Sequence, residues 1–156
     1  MPTKYQGTRE EQRALNAYIK LQRAAETSLN RTTAHLAQHG LSTSQFAILE
    51  ALYHLGTLSQ SELAQKMLKS TGNISSILKH MEKDGLVSRV RDPDDNRYMQ
   101  VCITNQGRAV IDKVLASHIA GIVAEMSVLS ADEQDELARL CRKLGLRVPE
   151  PTPSAI

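Results

Sequence analysis

From Leu63 to Met81 the chain carries Lys66, Lys69 and Lys79 and no acidic residue. Within that stretch Ile74, Ile77, Leu78 and Met81 fall at i, i+3, i+4 and i+7, which puts them on one face of a helix. The opposite face then presents Gly72, Asn73, Ser75, Ser76, Lys79, His80 and Lys83. Small residues near the start of such a helix permit close approach, the side-chain donors can meet base edges, and the lysines can meet phosphate. That is the combination a helix needs to enter the DNA major groove. Taken alone, the same face reads better as an ordinary solvated surface. The neighbouring elements separate the two readings.

Before this helix, "LSQSELAQKML" opens with Ser59 and Glu62 in capping-box spacing and reads as a helix, joined to the next by "KSTG". Two helices linked by a short glycine-containing turn are the helix-turn-helix signature. After Gly85, "LVSRV" and "YMQVCIT" read as the strands of a hairpin, with Met99, Val101 and Ile103 alternating towards the core. A hairpin in that position makes the module a winged helix. Its tip, "RDPDDNRY", is longer than a turn requires and dense in charge. Three aspartates facing phosphate would be repelled, so most of that charge is expected to serve as internal scaffolding.

The flanks are helical. From about Thr8 to Gln38 there is no proline or glycine, and Leu15, Tyr18, Ile19, Ala25, Leu29 and Leu36 recur at helical intervals up to Gly40. Ser42 and Gln45 open a second helix that ends at Gly56. Thr104 opens a fifth, with Ile111, Leu115, Ile119, Ile122 and Met126 apolar. Ser130 and Glu133 open a last one, with Leu137, Leu140, Cys141 and Leu144. The expected class is mainly α (α+β): a winged helix-turn-helix with N- and C-terminal helices forming a dimerisation region. Residues 1–40 are read as an N-terminal dimerisation helix, 41–104 as the DNA-binding winged helix, 105–147 as C-terminal dimerisation helices and 148–156 as a frayed tail. The outer helices are too apolar to stand around so small a module uncovered. A homodimer is therefore expected, and two-fold symmetry would set its recognition helices about 34 Å apart on a palindromic operator in double-stranded DNA.

The chain has 156 residues, 41% hydrophobic and 23% charged, with a net charge of +2, so the basic character is local rather than global. One Phe and no Trp imply an aliphatic core. Cys102 and Cys141 show no metal-ligand spacing, no apolar leader opens the chain, and no segment reaches membrane-span length. A cytoplasmic protein with free thiols, no membrane association and no cofactor is expected. No nucleophile–base set or phosphate loop supports an enzyme.

The stretch "LAQKMLKSTGNISSILKHMEKDGLVSRVRDPDDNRYMQVCITNQGRAV" resembles the winged-helix region of the multiple-antibiotic-resistance regulator (MarR) family. The matching features are the Leu-Ala pair, "MEKDGLVSR", the "DPDD-x-R" tip and "IT-x-x-G". The resemblance implies a ligand-responsive transcription regulator, more often a repressor. Its DNA contacts would come from Lys69, Ser70, Thr71, Asn73, Ser75, Ser76, Lys79, His80 and Lys83, with Arg97 reaching the minor groove from the wing. It further implies that Asp95 braces the tip by pairing with Arg89. The usual Asp-Arg-Arg of the wing is here Asp95-Asn96-Arg97, with the first arginine missing.

The resemblance also implies a pocket for a small, often aromatic or phenolic effector, for which Tyr18, Arg23, Tyr53, His54 and His118 are the candidates; each is also readable as a satisfied core or surface residue. Redox sensing through Cys102 or Cys141 is the competing regulatory reading, although a sensor thiol needs exposure and a cationic neighbour, and both read as structural. His35 and His39 stand at i and i+4, a metal-pair spacing, but Leu36 replaces the glutamate of the zinc-protease motif, so no metal is assigned. A winged helix used only for protein contacts is the alternative of another class.

Overall fold

The computed structural model describes residues 4–92 and 98–147. Helix α1 spans Arg9–Thr33 and continues as a 3-10 segment, Ala34–His39. Then follow α2 (Thr43–Leu55), a short strand β1 (Leu58–Ser59), α3 (Gln60–Lys66) and α4 (Thr71–Lys83). The hairpin strands are β2 (Val87–Arg91) and β3 (Met99–Ile103), and the chain closes with α5 (Asn105–Met126) and α6 (Ala131–Leu146). The element order is the one expected, a winged helix-turn-helix between outer helices.

The helix starts follow side-chain chemistry. Ser42, Ser59 and Ser130 each accept from the backbone N–H three residues on, and Gln45, Glu62 and Glu133 return the bond, as their spacing predicts. Thr8 and Glu11 build a fourth box at the head of α1. Helix α4 begins at Thr71 rather than Asn73, because the Ser70 hydroxyl accepts from Asn73 N–H at 3.3 Å and draws the "KSTG" turn into the helix.

The sheet is antiparallel in the order β1-β3-β2. Strand β3 pairs with β2 from Val87↔Ile103 to Arg91↔Met99, and on its other side with β1 through Leu58↔Val101. Strand β1 has no sequence signature, since two residues cannot show alternation. Around the sheet, Phe46, Ile48, Leu49, Leu52, Leu63, Ile74, Leu78, Met81, Val87, Val101, Ile111 and Val114 form one closed core. Helix α5 enters it tightly: Thr104 Oγ1 donates to the Gly85 carbonyl at 2.6 Å and accepts from Gly107 N–H at 3.0 Å. A Cβ on Gly107 would collide with the Leu86 carbonyl oxygen, which explains the glycine of "IT-x-x-G".

The outer helices differ. Neither α1 nor α6 has a buried residue. The apolar stripe of α5 divides: Ile111 is in the core, whereas Ile119 and Ile122 are exposed and His118 is buried instead. An Arg31–Glu125 pair at 3.2 Å ties α1 to α5. Among the described residues no single helix is long and apolar enough to cross a membrane.

Candidate nucleic-acid interface

Helix α4 is oriented by its apolar stripe. Ile74, Leu78 and Met81 are fully buried and Ile77 packs on the same core, so the opposite face has to look outwards. Thr71, Gly72, Asn73, Ser76, Lys79, His80 and Lys83 are exposed, and Ser75 is half-buried at the edge. Lys69 and Ser70 are exposed just before the helix, and the Gln60 amide reaches the Thr71 carbonyl at 3.4 Å, joining the heads of α3 and α4. The structure thus brings the candidate reading residues of this helix onto one exposed surface, without acid before Glu82.

His80 is held rather than loose. Its Nδ1 lies 2.8 Å from the Ser76 carbonyl oxygen, which can only accept, so Nδ1 carries the proton. That leaves Nε2 pointing away as an acceptor when the ring is neutral and a donor when it is charged.

The far end of α4 is fastened to the wing. The Arg89 guanidinium holds the Glu82 carboxylate through Nε at 3.0 Å and a second nitrogen at 2.7 Å, and Arg89 N–H donates to the other carboxylate oxygen at 3.2 Å. The Arg89 hydrogen bonds are also what hold the Glu82 carboxyl below the usual carboxylate range. The sequence reading did not pick out Glu82 as a partner of Arg89; the Asp95–Arg89 pairing that the resemblance implies involves a residue outside the described ones. Both partners were visible in "MEKDGLVSR", but a pairing across a helix end and a turn has no local periodicity to announce it. Above the strands, Gln100 Nε2 donates to Asp92 Oδ2 at 2.6 Å and Asp92 N–H to the Tyr98 carbonyl at 3.0 Å, so this aspartate is scaffolding within the wing. Asp95 and Arg97 lie outside the described residues.

The candidate effector residues do not gather in one place. Tyr18 is 57% exposed on α1 with its hydroxyl bonded to Gln22, and Arg23 is exposed further along α1. Tyr53 packs edge-on to His54, with Arg108 5.9 Å from its ring. A hydrogen bond to the Asp112 carboxylate raises the Tyr53 phenol above its ordinary pKa. His118 alone is buried, at 6% exposure, with its ring 5.3 Å from His35 and 4.4 Å from Phe46. His118 Nδ1 and His35 Nε2 are both buried with no hydrogen-bond partner. His35 thus stacks with His118 as well as facing His39, 6.4 Å away. Phe46 and His35 belong to this cluster; Phe46 went unread and His35 was read only against His39, because the cluster joins elements distant in sequence.

The cysteines are separate. Cys102 Sγ lies 3.2 Å from the Thr57 hydroxyl, out of phase with the core as the strand register predicts. Cys141 is exposed and helps line a cleft of about 420 Å³ with Leu21, Ala25, Met126, Leu129 and Leu137.

Comparison with known proteins agrees with this architecture. The MarR family model matches residues 41–98, the span from the head of α2 to the wing. The HTH-type transcriptional regulator YkoM of Bacillus subtilis is 31% identical over 137 residues, covering 88% of this chain and 89% of that one. Among solved structures, AbsC, a MarR family transcriptional regulator from Streptomyces coelicolor, superposes with a TM-score of 0.80 at 21% identity, covering 92% of this chain and 97% of AbsC. The organohalide-sensing transcriptional regulator RdhR, in its 2,4-dichlorophenol-bound form, superposes with a TM-score of 0.77 at 21% identity, covering 100% of this chain and 99% of RdhR. The chain belongs to the MarR family, and it is a DNA-binding winged-helix transcription regulator rather than an enzyme.

Proposed function

We propose that this chain acts in the cytoplasm as a homodimeric repressor that binds a palindromic operator and releases it when a small aromatic or phenolic effector binds. The outward face of α4 carries the reading: donors and lysines on a slim, acid-free surface beside a capped helix start. In each protomer Asn73, Ser75, Ser76, Lys79 and His80 read bases, Lys69, Ser70, Thr71 and Lys83 hold phosphates, and Arg97 extends the contact into the minor groove. Dimerisation is supported by Leu137, Leu140 and Leu144, which are 39%, 46% and 61% exposed on a helix with no buried residue. Residues 1–40 and 105–147 supply that interface, and residues 41–104 the reading module.

Of the effector candidates, His118 is the one proposed for the site, supported by its buried contacts with His35 and Phe46. Two buried imidazole nitrogens without partners beside an aromatic ring suit a hydroxylated or halogenated aromatic ligand. The cluster joins the 3-10 segment after α1 to α2 and α5, where a bound ligand would alter the angle between the outer helices and the reading module, a shift in population between DNA-competent and incompetent dimers. A salt titration of binding to the DNA upstream of its own gene tests the first part. Affinity should fall steeply and log-linearly with salt; salt-independent or absent binding would favour a protein-interaction module. Calorimetry with 2,4-dichlorophenol on wild type and His118→Phe tests the second.

A further inference from the structure

The same hydrogen-bonded turn closes the 3-10 segment, α3 and α4, and in α3 an unexpected residue occupies its key position. After the 3-10 segment, Gly40 N–H reaches the Ala37 carbonyl and Leu41 N–H the Leu36 carbonyl, both at 3.1 Å. After α4, Gly85 N–H reaches Glu82 at 3.0 Å and Leu86 N–H reaches Met81 at 2.9 Å. In both, the glycine adopts a left-handed conformation (φ 71° and 72°), and the leucine after it is buried, at 5% and 7% exposure. That is the glycine-capped turn with its apolar latch.

After α3 the bonds repeat, from Leu68 N–H to Gln65 at 3.2 Å and from Lys69 N–H to Ala64 at 3.0 Å, but the residues are exchanged. A leucine takes the left-handed position at φ 52°, and a lysine stands where the latch should be. The Leu68 side chain is 94% exposed, more than any other large hydrophobic side chain among the described residues. Folding gives no reason for this choice: glycine would relieve the backbone, and a buried side chain at 69 would close the turn. Strain that the fold does not reward is a mark of a functional position.

Leu68 sits between Lys66 and Lys69, two residues before the Ser70 cap of α4. We propose that Leu68 is a sequence-reading residue, whose apolar end contacts the C5-methyl group of a thymine at the edge of the major groove entered by α4. An exposed aliphatic group gains only by meeting apolar surface, and the thymine methyl is the apolar feature that a major groove offers. The flanking lysines bring the phosphates to it, and the left-handed turn directs the side chain away from the core. This rests on the DNA-binding reading of α4.

The test uses full-length protein and a duplex selected by the wild type from a random-sequence pool. Each thymine of the selected duplex is replaced in turn by deoxyuridine, which lacks the methyl group. We expect one position per half-site at which the replacement weakens wild-type binding by about 3–10-fold. The same replacement should leave Leu68→Gly and Leu68→Asn unaffected, both already weakened to that level. Both variants tolerate the left-handed turn, so their melting temperature should be unchanged or higher by up to about 4 °C, and their salt slope unchanged. Wild-type affinity in Leu68→Gly, or a loss not coupled to any thymine methyl, would overturn the proposal while leaving the α4 interface standing. If the wild type selects no duplex, the DNA-binding reading fails and this proposal with it.

Discussion

Lys79 and Lys83 lie about one turn apart on α4, yet they should report on different parts of a duplex. In the proposed docking, Ser76 and Lys79 are nearer the end of the helix that enters the groove. Ser76→Ala or Lys79→Ala should therefore cost about 1–3 kcal/mol on the preferred operator and much less on random DNA. Lys83→Ala should weaken all sequences alike and reduce the salt slope by about one per site, about two per dimer. Equal losses on operator and random DNA for all three variants would mean that the helix docks in another orientation. His118 gives a residue-scale prediction of a different kind. It is desolvated, which depresses its pKa, and His35 from the 3-10 segment acts in the same direction. Glu50 on α2 and the Thr32 backbone act oppositely and more weakly than burial. The folded protein therefore binds this proton less readily than the unfolded chain. The stability tied to the neutral ring is complete above the ordinary histidine pKa of about 6.5 and is lost as pH falls through it towards the folded value. Melting curves of wild type should weaken below that pH relative to His118→Phe, and parallel curves would show that the ring is not an obligate neutral group.

At the scale of elements, the Glu82–Arg89 pair ties the end of α4 to β2, the first strand of the wing. An exposed ion pair of this kind contributes about 1 kcal/mol or less to stability, so its value lies in geometry. Removing a negative charge near DNA should by itself tighten binding. Glu82→Gln is nevertheless expected to weaken operator binding, because Arg89 loses its charged anchor and the hairpin base slackens. Its melting temperature should fall by only a few degrees. Tighter binding by this variant would remove the brace from the mechanism. The hairpin itself was legible from its alternation and its charged tip. The brace was not, since it joins residues whose proximity depends on how α4 and β2 pack around Gly85.

For the whole molecule the decisive feature is the apolar surface left on α1, the second half of α5 and α6. Ile119, Ile122, Val123, Leu137, Leu140 and Leu144 are all at least 39% exposed. A second copy of the chain would remove much of this area from water at about 25 cal/mol per Å² of apolar surface. Leu137→Glu combined with Leu140→Glu should convert a dimer at micromolar concentration into monomer or aggregate and abolish operator binding together, as measured by light scattering and a binding isotherm. A well-behaved wild-type monomer, or a variant that still binds a palindrome tightly, would count against the architecture.

The amino-acid order by itself determined the helices, the capped starts of α2, α3, α5 and α6, the hairpin and the outward face of α4. Each of these is a local matter: a hydroxyl three residues from a donor, or apolar residues at the helical repeat. Tertiary structure decided what depends on elements meeting. It paired β1 with β3, divided the stripe of α5 between core and surface, gave Arg89 to Glu82, and set His35 and Phe46 against His118. Those contacts join residues from different elements, and periodicity along one helix carries no information about which residue of another helix lies across from it.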